Sequence, residues 1–450
     1  MPSPLIFAQL EDLDTTEKRG KYTVCIVGCG KLGVLHALLF ADAGFKVICY
    51  DADQTVVNNL SKGKPRYQED ETQAKLKNHV KSKQITATSD MREAISNSNI
   101  VLLNISPRMD SKKKIDYSDI ESTCKKVGQS LACGSLIIVT KPMGTDVFES
   151  IIKVALENAS GFKIGTDYAL ACSPLGNSFS PRIVAASDKN SLDISSFVLG
   201  LVTKGELKRT NNVKAAAVAA LFAVQRQDVN TALSNELTQF CEKARIDYLE
   251  VSELLKGSGD NSSSVPTLSR TLSREELYLL LSDAENLNQK LHLVQVARDI
   301  NEQVAKRVAN LVKDALRSCD KTPRRARIAL LGLSETPNMK GHPKRIVREL
   351  AQVLLAKGSR INLYDPYFSE DDLPDSQFHL KKSLAETAEG ADCVVIMSAH
   401  DQFKHMSLDK LKIMMKRPGA IVDLEGIFEP EKVEKRGFIY RGLGRGVWTK

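Results

Sequence analysis

The first part of the chain, residues 21–204, alternates short apolar runs with helix-like stretches. The run YTVCIV is followed by the stretch KLGVLHALLFADAG, and then by a second apolar run, KVICYD. Two further runs, NIVLLNIS and SLIIVTKPMG, continue the alternation. Strands that alternate with helices are typical of a parallel sheet covered on both faces. We therefore predict an α/β domain over residues 21–204, preceded by a polar, mobile N-terminal extension over residues 1–20.

The middle of the chain, residues 205–322, has a helical pattern instead. The segment NNVKAAAVAALFAVQRQDVNTALSNELTQFCEKA contains no glycine or proline and is rich in strong helix formers. Further on, the stretch GSGDNSSSVPTLSRTLS has six serines, two glycines and a proline, which indicates a loop. After this loop, the pattern LVQVARDINEQVAKRVANLVKDAL predicts one further long helix.

The last part of the chain, residues 323–450, returns to alternating strands and helices. Its strand-like runs are RIALLGL, RINLYDPY, DCVVIMSAH and AIVDLEG, and RIVRELAQVLLAKG has a helical pattern. This order predicts a second, smaller α/β domain. The predicted fold class is therefore α/β, with two Rossmann-like parallel-sheet domains joined by a central helical domain.

Composition and charge exclude several classes of function. The chain has 450 residues, of which 42% are hydrophobic and 26% charged, as in ordinary globular proteins. The net charge of +8 is spread along the chain, so we expect no nucleic-acid partner. No apolar run reaches the roughly 18 residues of a membrane span, and the N-terminus lacks the pattern of a secretory signal. The nine cysteines have no metal-ligand spacing, so we expect reduced thiols, no metal site and a cytoplasmic location.

The sequence VGCGKLG follows the first predicted strand and opens the first helix, so Gly28, Gly30 and Gly33 form the pattern GxGxxG. In such a loop, the first glycine allows a tight turn and the second lets a pyrophosphate approach the backbone. The third glycine lets the helix and the strand pack closely. The amides at the helix start, including those of Lys31 and Leu32, favour the negative charge of a phosphate.

Asp51 ends the next strand-like run, about twenty residues after the glycine loop. A carboxylate at this place binds the ribose hydroxyls of NAD and repels the 2′-phosphate of NADP, so NAD is the predicted cofactor. A sheet that no longer binds a dinucleotide stays an alternative. Cys29 occupies a variable position of the loop, where its backbone counts, and a redox role for its thiol is the less favoured alternative.

Together these pieces resemble the UDP-glucose/GDP-mannose dehydrogenase family, in particular its UDP-N-acetylmannosamine and UDP-N-acetylglucosamine 6-dehydrogenases. The matching pieces are VGCGKLG, YDAD, TKPMGT, RQDVNTALSNELTQFCEKARID, ARDINEQVAKRVANLV, LLGLSETPN, LYDPY, SAHDQF, VDLEGIF and YRGLGRG. They follow one another in the family's order over residues 21–446.

The resemblance implies an NAD domain and a nucleotide-sugar domain that face each other across a cleft, with the helical middle forming a dimer. It also implies oxidation of the C6 alcohol of a nucleotide sugar, here a UDP-N-acetylhexosamine, to a carboxylate for polysaccharide or glycan precursors. In the family two NAD act in succession, and a cysteine thiolate holds the intermediate aldehyde as a thiohemiacetal. We therefore expect a nucleotide-sugar partner, no membrane partner, and a homodimer or a heterodimer with an active relative.

The positions that the family uses for this chemistry are changed in this chain. The family's catalytic cysteine would fall near Thr271 or Leu272, and no cysteine lies between Cys241 and Cys319. A hydroxyl is a poor replacement for a thiolate without an adjacent base. Leu175 stands where the family has a glutamate near the reacting carbon.

Two cationic positions of the family are also altered. The substrate-binding lysine would fall near Ala220, and Lys214 is the nearest candidate to replace it. Glu335 replaces a lysine of the C-terminal domain, where the family's arginine motif is absent or shortened. The candidates for compensation in substrate binding are Lys340, His342 and Arg345.

Other family positions are retained. Asn230 and Asn235 match the central-helix motif, as candidates for catalysis and substrate binding, with helix surface as the alternative. Thr140 and Thr145 match the turn that lines the nicotinamide side, with turn capping as the alternative. Cys172 is a candidate for a displaced nucleophile, weighed against a buried thiol at the end of a strand.

Three functional hypotheses remain. The first is an NAD-dependent oxidoreductase with rearranged chemistry, for which one-step oxidation to an aldehyde is more plausible than the four-electron reaction. The second is a catalytically inactive protein that binds NAD and a nucleotide sugar as a structural or regulatory partner. The third is a scaffold that has lost the cofactor too. His342 and His400 have no visible partner acid in the sequence, which favours structural roles for both.

Overall fold

The structure is a computed structural model that describes residues 4–7, 10–65, 70–174, 182–203, 205–257, 274–340, 343–370 and 379–445. Sixteen strands lie within these residues. They are β1 Thr23–Val27, β2 Lys46–Tyr50, β3 Ile85–Thr88, β4 Ile100–Leu103, β5 Arg108–Met109, β6 Ile115–Asp116, β7 Leu136–Val139, β8 Ala169–Cys172, β9 Arg182–Ala185, β10 Leu207–Thr210, β11 Arg327–Leu331, β12 Arg360–Tyr364, β13 His379–Leu380, β14 Cys393–Ile396, β15 Gly419–Asp423 and β16 Phe438–Gly442.

The same residues contain eighteen α-helices. Several have an aspartate as the N-cap residue, such as Asp53, Asp90 and Asp188, whose side chain accepts a hydrogen bond from an amide of the first turn. The helices are α1 Thr16–Arg19, α2 Lys31–Asp42, α3 Gln54–Ser61, α4 Asp70–Lys81, α5 Met91–Ser96, α6 Ser118–Ser130, α7 Val154–Ser160, α8 Lys189–Val202, α9 Val213–Ala244, α10 Tyr248–Gly257, α11 Arg274–Asn286, α12 His292–Glu302, α13 Val304–Arg317, α14 Arg345–Ala356, α15 Leu384–Ala388, α16 Asp401–Lys404, α17 Leu408–Met414 and α18 Pro430–Lys435.

The first sheet has eight strands in the order β10–β9–β8–β7–β4–β1–β2–β3. Its paired neighbours run parallel, as predicted, except β8 and β9, which meet antiparallel at Cys172 and Ala185. Every residue of β4, β7 and β8 is buried because helices cover both faces. The strand order reverses between β1 and β4, and the carboxyl ends of these two strands flank a crevice of the kind where doubly wound sheets bind ligands.

The second sheet has six parallel strands in the order β13–β12–β11–β14–β15–β16, and its order reverses between β11 and β14. The chain forms two compact units, the first of Met1–Gln225 with Thr271–Leu291 and the second of Arg226–Arg270 with His292–Lys450. Each unit contains one of the two sheets, which confirms the predicted α/β class with two parallel-sheet domains. The domain boundaries at residues 204 and 322 stay predictions, because β10 extends the first sheet and α9 belongs to both units.

The described part of the N-terminal extension, residues 4–7 and 10–20, packs on the first unit, against the prediction that the extension is mobile. Leu5 and Leu13 are fully buried in the core of that unit. The amide of Ile6 also donates to the carbonyl of Gly134 at 3.2 Å, just before β7. The prediction depends on the mostly polar composition of this segment. Burial of the two leucines among apolar partners holds the segment on the first unit instead.

The single long helix predicted after the serine-rich loop is two helices, α12 and α13, separated at Gln303. Asn301, before the break, donates to the carbonyl of Asp228 on α9 at 2.8 Å. Arg307, after the break, donates to the carbonyl of Asn235 on α9 at 2.9 Å. Both sides of the break are therefore fastened to the same helix, and tertiary bonds override the continuous helical propensity here.

Candidate functional site

The glycine loop after β1 has the geometry that the sequence predicts. Gly28 has a φ of +95°, and a Cβ built on it would lie 2.7 Å from the carbonyl oxygen of Asn104. A Cβ on Gly33 would lie only 2.1 Å from the carbonyl oxygen of Gly28. Glycine is therefore required at both positions, first for the left-handed turn and then for the close approach of α2 to the loop.

Gly30 differs from these two glycines because a Cβ at this position would meet nothing within 4 Å. Gly30 is the N-cap residue of α2, and it has no side-chain cap. Open space therefore lies beside the start of the helix, where the amides of Lys31, Leu32 and Gly33 begin the first turn. This space and these amides fit a pyrophosphate group.

Asp51 follows β2 and lies directly beside the loop. Its Oδ2 accepts from the amide of Cys29 at 2.9 Å, and its Oδ1 accepts from the amide of Asp53 at 3.0 Å. These two bonds fix the carboxylate while it stays partly exposed. A carboxylate held at this place can accept bonds from the hydroxyls of an adenosine ribose.

Sequence reasoning missed Asn104, which follows β4 on the other side of the crevice. Its Nδ2 donates to the carbonyl of Gly28 at 2.9 Å, so this side chain ties the glycine turn to the neighbouring strand. Thr140, a predicted cofactor residue, donates from its hydroxyl to Leu103 O at 3.1 Å and lies 3.4 Å from Asn104 Oδ1. The position of Asn104 at the end of the apolar run NIVLL was the signal that could have found it.

The thiol of Cys29 points into the core and away from the open space. The side chain is 4% exposed and donates to the carbonyl of Tyr50 at 3.3 Å. A hydrogen bond with Cys49, together with burial, raises the pKa of Cys29 well above its ordinary value. A protonated, buried thiol supports the interpretation that Cys29 is structural.

The turn TKPMGT after β7 is fastened to α11. Thr145 donates from its amide to Asp283 Oδ2 at 2.7 Å, and its hydroxyl donates to the same oxygen. Lys141 Nζ pairs with Glu276 of α11 at 3.3 Å. The amide of Gly144 donates to the Tyr117 hydroxyl at 3.2 Å. The sequence did not indicate Asp283 as a partner of this turn, because Asp283 lies 138 residues after Thr145 in the chain.

The structure gives little support to two of the catalytic candidates. Lys214 is exposed and pairs with Asp146 at 2.5 Å, and this hydrogen bond raises the pKa of Lys214. Cys172 ends β8 with 7% exposure, and burial raises its pKa to about 12. A thiol that stays protonated at neutral pH is a poor nucleophile.

The two asparagines of α9 have different surroundings. Asn230 is exposed on the helix surface. Asn235 is 4% exposed and donates from Nδ2 to Asn301 Oδ1 at 3.1 Å, while its carbonyl accepts from Arg307. The contacts of Asn235 are therefore those of a buried residue that joins helices, and not of the helix surface that was the structural alternative for it.

The second unit repeats the glycine turn at the end of β11. Gly332 has a φ of +94°, and its amide donates to Tyr364 O at 2.8 Å. Asp365, after β12, accepts from the amides of Leu333 at 2.6 Å and Ser334 at 3.0 Å. The predicted nucleotide-sugar domain therefore has an acidic residue beside its first turn, like the predicted NAD domain.

His400 is hydrogen-bonded to both Asp365 and Asn338 beside this second turn. It is fully buried, its Nε2 lies 3.1 Å from Asp365 Oδ2, and its Nδ1 accepts from the amide of Asn338 at 2.8 Å. Because an amide can only donate, we assign the proton to Nε2, which then donates to Asp365. Burial opposes ionisation of Asp365, but His400 and the amides outweigh it and lower the pKa of this carboxyl. His400 thus has the partner acid that the sequence did not reveal.

Two predicted cations of the second unit are exposed, whereas a cation that the sequence did not indicate is buried. Lys340 is exposed, and Arg345 pairs with Glu349 along the surface of α14. Lys344 was not predicted, yet it is only 4% exposed. Its Nζ donates to the carbonyl of Met397 and lies 2.7 Å from Glu425 Oε1.

Several predicted positions lie outside the residues that the structure describes. They are Leu175, Thr271, Leu272 and His342. Within the described ranges, no group of three or more histidine, cysteine and acidic residues is arranged to hold a metal ion. Over the same ranges, none of the helices combines the length and the apolar character needed to cross a membrane.

Comparison with known proteins assigns the two units. Residues 22–177 match the NAD binding domain of the UDP-glucose/GDP-mannose dehydrogenase family. Residues 329–430 match the UDP binding domain of the same family. These two ranges contain the glycine turns with Asp51 and with Asp365.

Similar proteins match nearly the whole chain. UDP-N-acetyl-D-mannosamine dehydrogenase of Pyrococcus horikoshii is 26% identical over 442 residues, which cover 94% of this chain and 99% of the relative. UDP-glucose 6-dehydrogenase of Rhizobium meliloti is 24% identical, with 94% and 99% covered. The solved structure of the Pyrococcus horikoshii UDP-D-ManNAc dehydrogenase has a TM-score of 0.82 at 24% identity, with the same coverage. The chain belongs to the UDP-glucose/GDP-mannose dehydrogenase family, as its sequence motifs predicted.

Proposed function

We propose that this protein is an NAD-dependent nucleotide-sugar dehydrogenase that oxidises the C6 hydroxyl of a UDP-N-acetylhexosamine. The glycine loop carries the proposal, because the open side of Gly30 and the fixed carboxylate of Asp51 suit a dinucleotide. The similarity to UDP-N-acetyl-D-mannosamine dehydrogenases along 94% of the chain supports the sugar class. When bound, NAD would accept a hydride from the substrate. Asp51 would hold the ribose, and the amides after Gly30 would hold the pyrophosphate.

We further infer that the oxidation stops at the aldehyde. No cysteine lies between Cys241 and Cys319, where the family resemblance places the nucleophile. Cys172 is 7% exposed and burial raises its pKa, which supports the inference that it does not replace that thiolate. In a one-step reaction the C6–H bond breaks, the hydride reduces NAD, and the hydroxyl proton leaves to solvent. The products are one aldehyde, one NADH and one proton for each turnover.

The test is NADH formation from a panel of UDP-N-acetylhexosamines, with the product sugar analysed by mass spectrometry. We expect one NADH for each sugar consumed and an aldehyde product. Two NADH and a carboxylate would contradict the one-step reaction while retaining the family activity. The absence of turnover across the panel would overturn the proposal of a dehydrogenase.

A catalytically inactive binding partner is the second candidate, favoured by the same missing thiol. It predicts NAD binding in calorimetry without turnover, together with co-purification of an active dehydrogenase chain. Robust turnover by a homodimer would overturn it.

We also propose a homodimer that forms through α9. Leu233, Leu237 and Phe240 are 52%, 42% and 69% exposed and follow one another at helical spacing, so they form one apolar stripe. Phe240→Lys places a charge on this stripe and should convert a dimer into monomers in light scattering. A wild-type protein that is monomeric at micromolar concentration would overturn this proposal.

A further inference from the structure

Lys344 places a buried positive charge in the crevice of the second sheet. Its amide donates to the carbonyl of Leu333 at 2.7 Å, beside the turn after β11. Its Nζ donates to the carbonyl of Met397, directly after β14. Lys344 therefore connects the carboxyl ends of the two strands between which the strand order reverses, and this is where doubly wound sheets bind ligands.

The corresponding crevice of the first sheet holds a neutral side chain. There the side-chain Nδ2 of Asn104 donates to the carbonyl of Gly28 at 2.9 Å, and this side chain brings no net charge to the turn. In the second sheet, Ser398 makes the neutral bond, from its hydroxyl to Ser334 O at 2.6 Å. The ammonium of Lys344 is therefore an addition to the side-chain bond that Ser398 makes at this turn. A buried charge is costly unless it is paired and hydrogen-bonded.

The partner of Lys344 is an acidic side chain that reaches in from the next strand end. Glu425 lies two residues after β15 and is 24% exposed on its side chain, against 4% for Lys344. Its amide donates to Asp423 Oδ1 at 3.2 Å, which fixes its backbone. Glu425 is thus the more exposed member of the pair. Its carboxylate occupies the place beside the ammonium that an anionic ligand entering the crevice would take.

We propose that Glu425 is an internal competitor of the nucleotide. Lys344 binds a phosphate oxygen of the diphosphate, and the carboxylate of Glu425 takes that position on Lys344 while the nucleotide is absent. This inference rests on the proposed function, since it takes the ligand of this unit to be a nucleoside diphosphate. A phosphate oxygen makes the same charge-assisted bond as a carboxylate but brings more negative charge, so it displaces Glu425 from Lys344.

The competition predicts opposite effects for the two members of one ion pair. Lys344→Gln removes the cation and should weaken UDP binding by about tenfold or more, whereas Glu425→Gln removes the competitor and should strengthen it by about threefold to tenfold. Lys344→Arg keeps the charge and should retain most of the affinity. Uridine has no phosphate, so its affinity should stay unchanged in all three variants.

Calorimetry of UDP and uridine with the full chain tests the proposal, with NAD affinity and thermal unfolding measured on each variant. The control variants are Lys432→Gln and Glu429→Gln, which break an exposed Lys–Glu pair of the same unit, 2.8 Å apart with both side chains more than two thirds exposed. If Lys344→Gln does not fold, Glu425→Gln still decides the sign of the effect.

Tighter UDP binding by Glu425→Gln, with unchanged controls, would support the competition. Weaker or equal binding by this variant would overturn it and would identify the pair as structural. If the wild type and all variants bind uridine and UDP equally, the inference fails while a nucleotide site remains. If none binds either ligand, the proposed function fails as well.

Discussion

The two glycine turns, one after β1 and one after β11, are built from the same bonds but present different chemistry. Gly28 and Gly332 have φ values of +95° and +94°, and each donates its amide to the tyrosine that ends the neighbouring strand. The residue after each glycine donates to an acidic side chain, Asp51 at 2.9 Å and Asp365 at 2.6 Å. Both units therefore share the same glycine turn, with the same backbone conformation and hydrogen bonds.

The side chains around each turn make the difference. Asp51 stays partly exposed beside the open space at Gly30, whereas Asp365 is 2% exposed and accepts a further bond from His400. The first turn thus keeps a carboxylate available to ribose hydroxyls, and the second turn uses its carboxylate for its own stability. The two units therefore share the backbone geometry of the turn and differ in the side chains beside it.

The largest expected effect comes from substitution of the turn glycines themselves. In Gly28→Ala the new Cβ meets Asn104 O at 2.7 Å, and in Gly332→Ala it meets Ser398 Cβ at 2.6 Å, both at positive φ. We expect each variant to lose about 3 kcal/mol or more of stability, because strain and steric overlap add. Urea unfolding measures the loss. NAD affinity should fall only in the first variant and UDP affinity only in the second, and a uniform loss of both would contradict two separate sites.

The two acidic residues should respond differently to the same substitution. Asp365→Asn removes a buried charge from its bond with His400 and should cost about 2 kcal/mol of unfolding free energy. Asp51→Asn should leave stability nearly unchanged and weaken NAD binding by about tenfold, since a neutral amide accepts weaker bonds from the ribose. Chemical denaturation and NAD titration of both variants check this, and an unstable Asp51→Asn would remove the distinction.

The dependence of stability on pH sharpens this difference. The folded protein lowers the pKa of Asp365, so the unfolded chain binds the proton more readily at acidic pH. The contribution of Asp365 is therefore complete above its ordinary pKa and is lost as the pH falls through the lowered value. Wild type should lose stability more steeply than Asp365→Asn on acidification below about pH 4. Parallel curves for the two proteins would contradict the prediction.

Gly30 offers an intermediate effect that concerns binding alone. A side chain at Gly30 meets no protein atom within 4 Å, and the residue has an ordinary φ of −67°. Gly30→Val should therefore keep the melting temperature of the wild type while it blocks the space for the pyrophosphate and weakens NAD binding by at least about tenfold. Unchanged NAD affinity would show that the dinucleotide does not use this loop.

The sequence predicted the elements whose signals are local. The loop from Gly28 to Gly33 and the carboxylate of Asp51 follow from a motif of fixed spacing, and the structure has both in place. The parallel sheets follow from alternating strands and helices, and they too are confirmed. Such features are encoded by neighbouring residues, so one sequence is sufficient to find them.

The sequence did not predict features that depend on distant partners. Lys344 and Glu425 are 81 residues apart, and Thr145 and Asp283 are 138 residues apart. The sequence predicts a mobile extension that includes Leu5 and Leu13, because nothing near them indicates the core that buries them. Averages over a segment fail when a few residues find tertiary contacts, and charged pairs at strand ends are such contacts.

The smallest expected effect tests whether NAD binding depends on the bonds between α11 and the turn TKPMGT after β7. Asp283 accepts two bonds from Thr145, so Asp283→Asn should loosen the turn that the family resemblance places on the nicotinamide side. We expect NAD affinity to fall about fivefold, or by about 1 kcal/mol. Glu285→Gln, an exposed change on the same helix, is the control. In a double-mutant cycle with Thr145→Val, the two effects should be less than additive, because both substitutions weaken the bond between the Thr145 hydroxyl and Asp283. Additive effects would show that Asp283 acts through another contact.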